Sequence, residues 1–495
     1  MKIFYLLILC FLSISAGAQN MIKDTIEYAR SLAWQKKFED ASTLLKAYSS
    51  LNSNQAGLQL LAQIQYWKQD FDGAKLTYQK ALTLFPQASG IRFDYGKMLF
   101  ESSDLRKANY ELNEYEKTNK NSVEAYLMLA KIAMWNSRLN EADDYIKDVF
   151  KLQPDNAEAR SILSTVNKYK QVRVRVGGSI LSDDQPLNAT RTEAEISAYQ
   201  SRFFSPALKV EQTSYSALKK QTSQADLENI FHFGYGKTTI KLGAGLFKSD
   251  SYSSLDGILF LSQKLSHDLT VSSSFSESSY QYTLSSVNTP LTQTMFINSI
   301  DFNKKDIWLG KVSYLVQSFA DNNSINTAFI WFLMPVINKN KVLFQAGIST
   351  SYATASFNTF TATGSPALLA LKYPLYTQLP GIYVPYFTPK DQQVNSFLSS
   401  LTLKPGKFIR LNAKASMGLL SKTDYPFLML VQNGNKYEVV KSFYRKDYKP
   451  IELEGSGLIS LTKRLDLSLV YRYASLLYYT SNFASLNLTY SFGHE

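Results

Sequence analysis

The sequence predicts an α + β multidomain chain, an N-terminal helical α-solenoid followed by a C-terminal antiparallel transmembrane β-barrel of about sixteen strands. Two periodicities predict it: a recurrence every 33 or 34 residues up to residue 169, and alternation of apolar and polar residues from residue 170 onward. Composition agrees. Of the 495 residues, 45% are apolar and 19% charged, which suits a folded protein and excludes collagen-like, low-complexity and disulfide-scaffold chains. The net charge of +12 is scattered over the sequence without a basic run, so no nucleic-acid partner is expected.

Residues 1–18 read as a secretory signal peptide. Lys2 precedes an apolar run from Ile3 to Ile14, and Ala16-Gly17-Ala18 forms the cleavage site. The run is shorter than the roughly 20 residues that a spanning helix needs. The only cysteine, Cys10, lies within it after Leu9, which is too large for a lipid-attachment site. Cleavage after Ala18 would leave no thiol and no disulfide. No later stretch has 18 consecutive apolar residues, so no helical span is expected.

Residues 19–169 contain four aligned units. Ala29, Trp34, Phe38 and Ala41 recur as Ala62, Trp67, Phe71 and Ala74. They recur again as Gly96, Glu101, Leu105 and Ala108, then as Ala130, Trp135, Leu139 and Ala142. Small residues let two helices approach closely, and Phe or Leu at the turn fills the gap between them. Pro86 and Pro154 stop the second helix of their units, because proline lacks the N–H and clashes with the preceding turn. The pattern resembles tetratricopeptide repeats. A further helix, from about Asp155 to Tyr169, caps the open end. The repeated Trp is expected to pack at the end of the first helix. Glu101 in the third unit argues against a continuous aromatic row for a polymer.

In residues 170–495, Val172, Val174 and Val176 alternate with Arg173, Arg175 and Gly177. The same period runs through 409–417, 465–473 and 484–492. Segments of about ten residues with apolar and polar faces, rich in Tyr and Phe, suit a membrane barrel. Seven short turns are read near residues 204–206, 236–237, 266–268, 303–306, 338–341, 405–407 and 463–464. Eight longer connections are read near 182–191, 217–223, 249–255, 276–291, 319–325, 354–391, 421–450 and 475–482. Together they give sixteen strands. Asn433-Gly434, between two apolar runs, is a hairpin signal, read as standing outside the wall; placed in the wall it would raise the count to eighteen.

Leader, repeats, then barrel: this order resembles the outer-membrane exporters of cellulose and poly-N-acetylglucosamine, and the YaiO-like barrel family. The resemblance implies passage of an extracellular polysaccharide through the barrel. The tetratricopeptide groove, in the periplasm, would bind a protein partner, and lipid of the outer membrane would surround the barrel. The alternative is a non-conducting outer-membrane scaffold whose repeats bind that partner.

No enzyme activity, cofactor or metal is expected. His232, His267 and His494 have no metal-ligand spacing, and no phosphate loop is present. The period places Arg173, Arg175, Glu193, Glu195, Lys241, Arg410, Lys414, Glu452, Glu454 and Arg472 toward the lumen. Lys209 and Lys311 share that face with Glu211, Asp226, Glu228 and Asp466; eight acids balance eight bases there, pointing to ion pairs across the lumen. Tyr373, Tyr376, Tyr383 and Tyr386 lie among five prolines in the 354–391 loop. They are candidates for a glycan-contacting lid.

Overall fold

The computed structural model describes residues 23–47, 53–185, 187–234, 237–250, 252–289 and 291–493. The leader and His494 lie outside them. The chain divides into two compact units at Val166/Asn167, each described by itself below.

The first unit is a run of paired helices: α1 (23–34) with α2 (Phe38–Ala47), α3 (Gln55–Trp67) with α4 (Phe71–Leu84), α5 (Ser89–Glu101) with α6 (Leu105–Glu116), and α7 (Val123–Trp135) with α8 (Leu139–Leu152). Helix α9 (Ala157–Lys170) follows the fourth pair. Ala29, Ala41, Ala62, Ala74, Ala108, Ala130 and Ala142 are completely buried at the helix contacts. At Gly96 a Cβ would stand 2.9 Å from the Leu112 side chain, so the α5–α6 contact needs the missing side chain. The turns joining the paired helices share one device. Lys36, Gln69, Ser103 and Ser137 all have positive φ, between 53° and 65°. Left-handed backbone reverses the chain tightly, and none of the four is glycine. In the second and third units the next residue is an aspartate, and Asp70 and Asp104 accept from the main-chain N–H of Gly73 and Lys107 to cap α4 and α6.

Trp34 corrects the expected packing role of the repeated tryptophan, for it is 75% exposed. The other two are half-exposed and lean on the unit before them. Trp67 meets Phe38 at 6.3 Å, and Trp135 stacks on Phe100 at 5.5 Å. Trp34 belongs to the first unit, with no preceding helix pair to lean on among the described residues.

The second unit is a closed antiparallel barrel of sixteen strands. The wall runs through β1 (Val172–Asp183), β2 (Asn188–Ser197), β3 (Pro206–Tyr215), β4 (Lys220–Phe233), β5 (Thr238–Ser249), β6 (Tyr252–Lys264), β7 (Leu269–Ser279), β8 (Thr292–Lys304), β9 (Trp308–Phe319), β10 (Ser324–Lys339) and β11 (Val342–Ala355). Three short strands, β12 (Phe360–Ala362), β13 (Gln378–Leu379) and β14 (Gly381–Tyr383), lie in the loop that follows. The wall resumes with β15 (Gln392–Leu403) and β16 (Ile409–Gly418), leaves for the hairpin of β17 (Ser421–Asn433) and β18 (Lys436–Tyr448), and ends with β19 (Ile451–Ser460), β20 (Leu465–Ser475) and β21 (Thr480–Phe492). Strand β11 pairs with β15, β16 with β19, and β21 with β1, so β17 and β18 stand outside the wall. The closing ladder runs from Val172↔Phe492 to Asp183↔Ser481.

Five connections expected to be long are tight. Strands β1 and β2 pair up to Ser182↔Asn188, β3 and β4 up to Tyr215↔Lys220, and β5 and β6 up to Ser249↔Tyr252. The β9–β10 and β20–β21 ladders likewise reach Ser318↔Ser324 and Ser475↔Thr480. Polar residues at those strand ends read as loop in the sequence, yet ladder hydrogen bonds carry them past the apolar band. Three long excursions remain: 280–291, which holds helix α10 (Leu284–Asn288), 356–391, which holds α11 (Pro366–Ala370), and 419–450. Pro335 lies inside β10 next to a register shift between Pro335 and Ile337, where its missing N–H is tolerated.

In a fragment of residues 19–169, Gly96→Leu should overpack the α5–α6 contact and cost about 1–3 kcal/mol in urea unfolding followed by far-UV circular dichroism. Gln69→Gly should leave stability equal or raise it by up to about 1 kcal/mol, because the turn already holds a backbone glycine adopts freely.

Candidate functional site

The two faces of the barrel wall differ. Val176, Ile180, Leu208, Val210, Leu227, Leu242 and Leu246 are exposed on the outer face, as are Leu486 and Leu488 near the seam. Positions between them face inward and carry the charge. Arg175 lies opposite Glu195 in the β1–β2 register and bonds it at 2.5 Å. The chain of contacts continues from Arg175 to Glu193 at 3.8 Å, Glu193 to Lys209 at 3.7 Å, Lys209 to Glu211 at 2.5 Å, and Glu211 to Arg191 at 3.5 Å. On the far side of the β1–β21 seam, Glu454 takes Lys414 at 2.9 Å and Arg472 at 2.8 Å. Lys241 holds Glu228 at 2.8 Å, and Lys311 holds Asp301 at 3.2 Å. These pairs join residues on the same or adjacent strands and do not span the lumen as expected; the register brings them together, and charge order along the sequence does not.

Arg173, Arg410 and Glu452 occupy inward positions but stay outside the network. Arg173 turns back to the carbonyl of Lys168 at 3.2 Å. Among the described residues, Arg410 and Glu452 have no ion pair within 4 Å.

Local departures from balance escaped sequence reasoning. Asp226 and Asp256 line an inner recess of 180 Å³ whose wall includes Gly243 and Gly245. Gln224 donates to both oxygens of Asp226. Asp256 is 8% exposed; its Oδ1 accepts from Ser254, while Oδ2 has no hydrogen-bond partner. Strand β10 departs in the other sense. Its exposed outer residues are Ile330, Phe332 and Met334, so Phe329, Trp331 and Leu333 take the inner face. An uninterrupted apolar run hid that assignment, since period two needs a polar partner to set its phase.

The loop end of the barrel is spanned by side chains from strands far apart around the ring. Tyr386 is fully buried, stacks on Phe319 at 3.6 Å, and gives its hydroxyl to both oxygens of Asp321 at 2.9 and 2.7 Å. Burial and the Asp321 carboxylate hold this phenol well above its ordinary pKa. Thr283, at the start of α10, donates to the carbonyl of Pro385 at 2.5 Å. The same loop reaches the β20–β21 connection, where Tyr478 meets Phe387 at 4.2 Å and Tyr383 at 5.0 Å. Burial pushes Tyr383 up to about 12. Phe360, Leu369 and Leu379 pack on Leu428 and Leu430 of β17, with Tyr373 alongside. Val287 of α10 packs with Leu187, after β1, and Tyr215, at the end of β3.

The 354–391 loop is therefore a folded layer across the mouth. Its aromatics mostly pack the loop on itself, the alternative to a glycan-contacting lid: Tyr386 and Tyr383 are consumed in packing, and Tyr373 lies against the loop's own core. Tyr376 alone of the four is largely exposed.

His232 lies within the wall, its Nδ1 3.5 Å from the Thr239 hydroxyl, and His267 is exposed in a turn beside Asp268. Among the described residues no group of three or more His, Cys, Asp or Glu is arranged to hold a metal ion. No helix there is long and apolar enough to cross a membrane, which says nothing of strands.

No known family model matches the chain. Among solved structures it is similar to a "Bacterial polysaccharide outer membrane secretin", with 11% identity and a TM-score of 0.47, covering 66% of this chain and 99% of that one. The crystal structure of YrrB, described as a TPR protein with an unusual peptide-binding site, matches 30% of this chain and 76% of its own at 21% identity and a TM-score of 0.27. A tetratricopeptide repeat protein from Parabacteroides merdae matches 30% of this chain and 59% of its own, at 19% identity and a TM-score of 0.28.

Tyr386→Ala should remove the seat of the layer on β9 and β10 while leaving the wall ladder intact. Limited proteolysis of the detergent-solubilised protein should then cut within 356–391 at least about tenfold faster than in the wild type, as expected if local opening becomes cheaper by more than 1.4 kcal/mol. Equal cleavage rates would show that the layer is held elsewhere.

Proposed function

We propose that the protein is an outer-membrane conduit for an extracellular polysaccharide, with its helical repeats in the periplasm binding a protein partner through their groove. One observation carries the reading: a closed sixteen-strand wall is apolar outside and charged inside. Hydrocarbon suits the first face and water the second. Closure leaves no unpaired edge in the bilayer, and a barrel of this strand number is wide enough for an aqueous path unless loops fill it. The inner charges neutralise one another over most of the wall, which favours a cargo of low charge density. The choice of a polysaccharide rests on the resemblance of the domain order to polymer exporters.

The helical unit supports a binding role because paired-helix repeats build an extended concave surface. No chemistry is assigned to the protein in this reading; its work is passage and recognition. The layer across the mouth favours a second reading, a non-conducting scaffold, and conductance separates the two.

Deleting residues 360–386 should raise single-channel conductance in a planar bilayer. The β11–β15 ladder, from Val342↔Leu403 to Ala353↔Gln392, does not depend on that segment. A channel still closed after the deletion would favour the scaffold. Arg410→Glu with Lys414→Glu should shift ion selectivity toward cations, read from the reversal potential in a salt gradient. Unchanged selectivity would remove these two side chains from the conducting path.

A further inference from the structure

The sequence predicts only that the β17–β18 hairpin projects beyond the wall. Its orientation can be followed through the ladder. Gln393 pairs with Tyr352, an exposed residue of the outer face, and also with Lys422 at the base of the hairpin. Residues directly opposite in an antiparallel pair point to the same face of the sheet. Lys422 and the even positions of β17 therefore continue the outer face. Thr423, Tyr425, Phe427 and Met429 continue the inner one, opposite Lys446, Tyr444, Ser442 and Val440 of β18. Gln392, an inward residue of β15, supports this phase by donating to the Tyr448 hydroxyl at 2.7 Å.

The character of the inner face changes on the hairpin. Within the wall it is charged and ion-paired; on the hairpin it is aromatic. Tyr444 lies 5.6 Å from Tyr425 and 5.9 Å from Phe427. Tyr425 is fixed from two sides, with Tyr478 stacked on it at 5.5 Å and the Lys446 ammonium 4.1 Å over its ring. Tyr444 is left 46% exposed and Val440 39% exposed beside it. The opposite face of the hairpin is covered, since Leu428, Leu430 and Val439 pack under the 354–391 layer. One side of the hairpin is thus used to hold the layer; on the other, Ser421 and Thr423 are buried at the base, with Thr423 donating to the Lys390 carbonyl, and the aromatic face opens beyond them at Tyr444 and Val440.

We infer that Phe427 and Tyr444, braced by Tyr425 and Tyr478, form a stacking platform for an uncharged saccharide chain where the inner face of the barrel emerges beyond the wall. The inference rests on the conduit reading and names a contact for its cargo. Three observations select this occupant. The face continues the lumen rather than the lipid side, which excludes an acyl chain. Flat aromatic faces bind the C–H faces of sugar rings while leaving the hydroxyls to water. Of the charged residues on this face, Lys446 is engaged over the Tyr425 ring, and Lys436 and Glu438 near the hairpin tip are of opposite sign, so the platform itself presents no charge cluster that would demand a charged polymer.

The test is saturation-transfer NMR on the full-length protein in detergent, with cellohexaose, maltohexaose and an N-acetylglucosamine hexamer as probes. The wild type should bind at least one of them. Phe427→Ala with Tyr444→Ala should weaken that binding about fivefold to tenfold, the size of one or two lost aromatic contacts. Tyr444→Trp should retain binding, and Tyr314→Ala, which removes an exposed aromatic of the outer barrel face, should leave it unchanged. Heat-modifiable mobility on gels checks that each variant keeps its barrel. Absence of binding to all three probes overturns the platform, as does binding that survives the double substitution. Surface polymer from producing cells lacking the gene reads the conduit separately. Polymer loss with binding indifferent to Tyr444 leaves the conduit and removes the platform. Undiminished polymer with Tyr444-dependent binding removes the conduit and leaves a saccharide site.

Discussion

The pairing of β1 with β21 is the constraint on which the barrel depends. Both strands would otherwise present a row of free N–H and C=O groups, costly in hydrocarbon and prone to pair with another chain in water. Their ladder from Val172↔Phe492 to Asp183↔Ser481 satisfies both edges with each other. With sixteen strands in the ring, every inward position on one strand meets an inward position on the next, and the ion pairs follow from that geometry. Arg175 reaches Glu195 because the register sets them side by side, and Glu454 lies between Lys414 and Arg472 for the same reason.

Closure also concentrates variation at one end. The wall needs only tight turns, and most connections supply no more than that. The three long excursions and the β20–β21 turn fold together over the mouth, held by aromatic stacking and by a few main-chain bonds, among them Gln378↔Met429 and Ala355 N–H to the Pro389 carbonyl. Tyr386 on Phe319 and Tyr478 between Phe387 and Tyr425 tie the layer to strands on different sides of the ring. Because few of these bonds belong to the wall ladder, the layer can open while the ladder stays closed, as the proposed conduit requires.

The helical unit follows a different economy. Its stability comes from close helix contact at small residues and from a left-handed turn residue repeated in every pair. The tryptophans show how a repeat differs by position: Trp67 and Trp135 lean on the aromatic of the unit before, and Trp34 has none to lean on.

The sequence by itself determined both units and their order; the choice of sixteen strands over eighteen waited on the Asn433-Gly434 hairpin, which the structure places outside the wall. A period of 34 with alanine at fixed phase specifies helix pairs, because only small residues allow that approach. A period of two specifies which residues share a face, and it placed Arg175, Glu195, Lys414 and Glu454 on the inner one. It could not show which charges would meet, since register joins residues such as Lys414 and Glu454 that lie far apart along the chain. Nor could it place Phe329 and Trp331, whose apolar neighbours gave no phase. Five strand ends looked like loops because serine, asparagine, aspartate and lysine interrupt the alternation there, although ladder hydrogen bonds continue through them. The fate of the loop aromatics was decided only in three dimensions. Tyr386 and Tyr383 lie in a stretch as rich in proline and tyrosine as an open binding loop, and contact with Phe319, Asp321 and Tyr478 buries them. The open aromatic face fell instead to Phe427 and Tyr444, because a single pair at the hairpin base, Gln393↔Lys422, fixes which side of the hairpin continues the lumen.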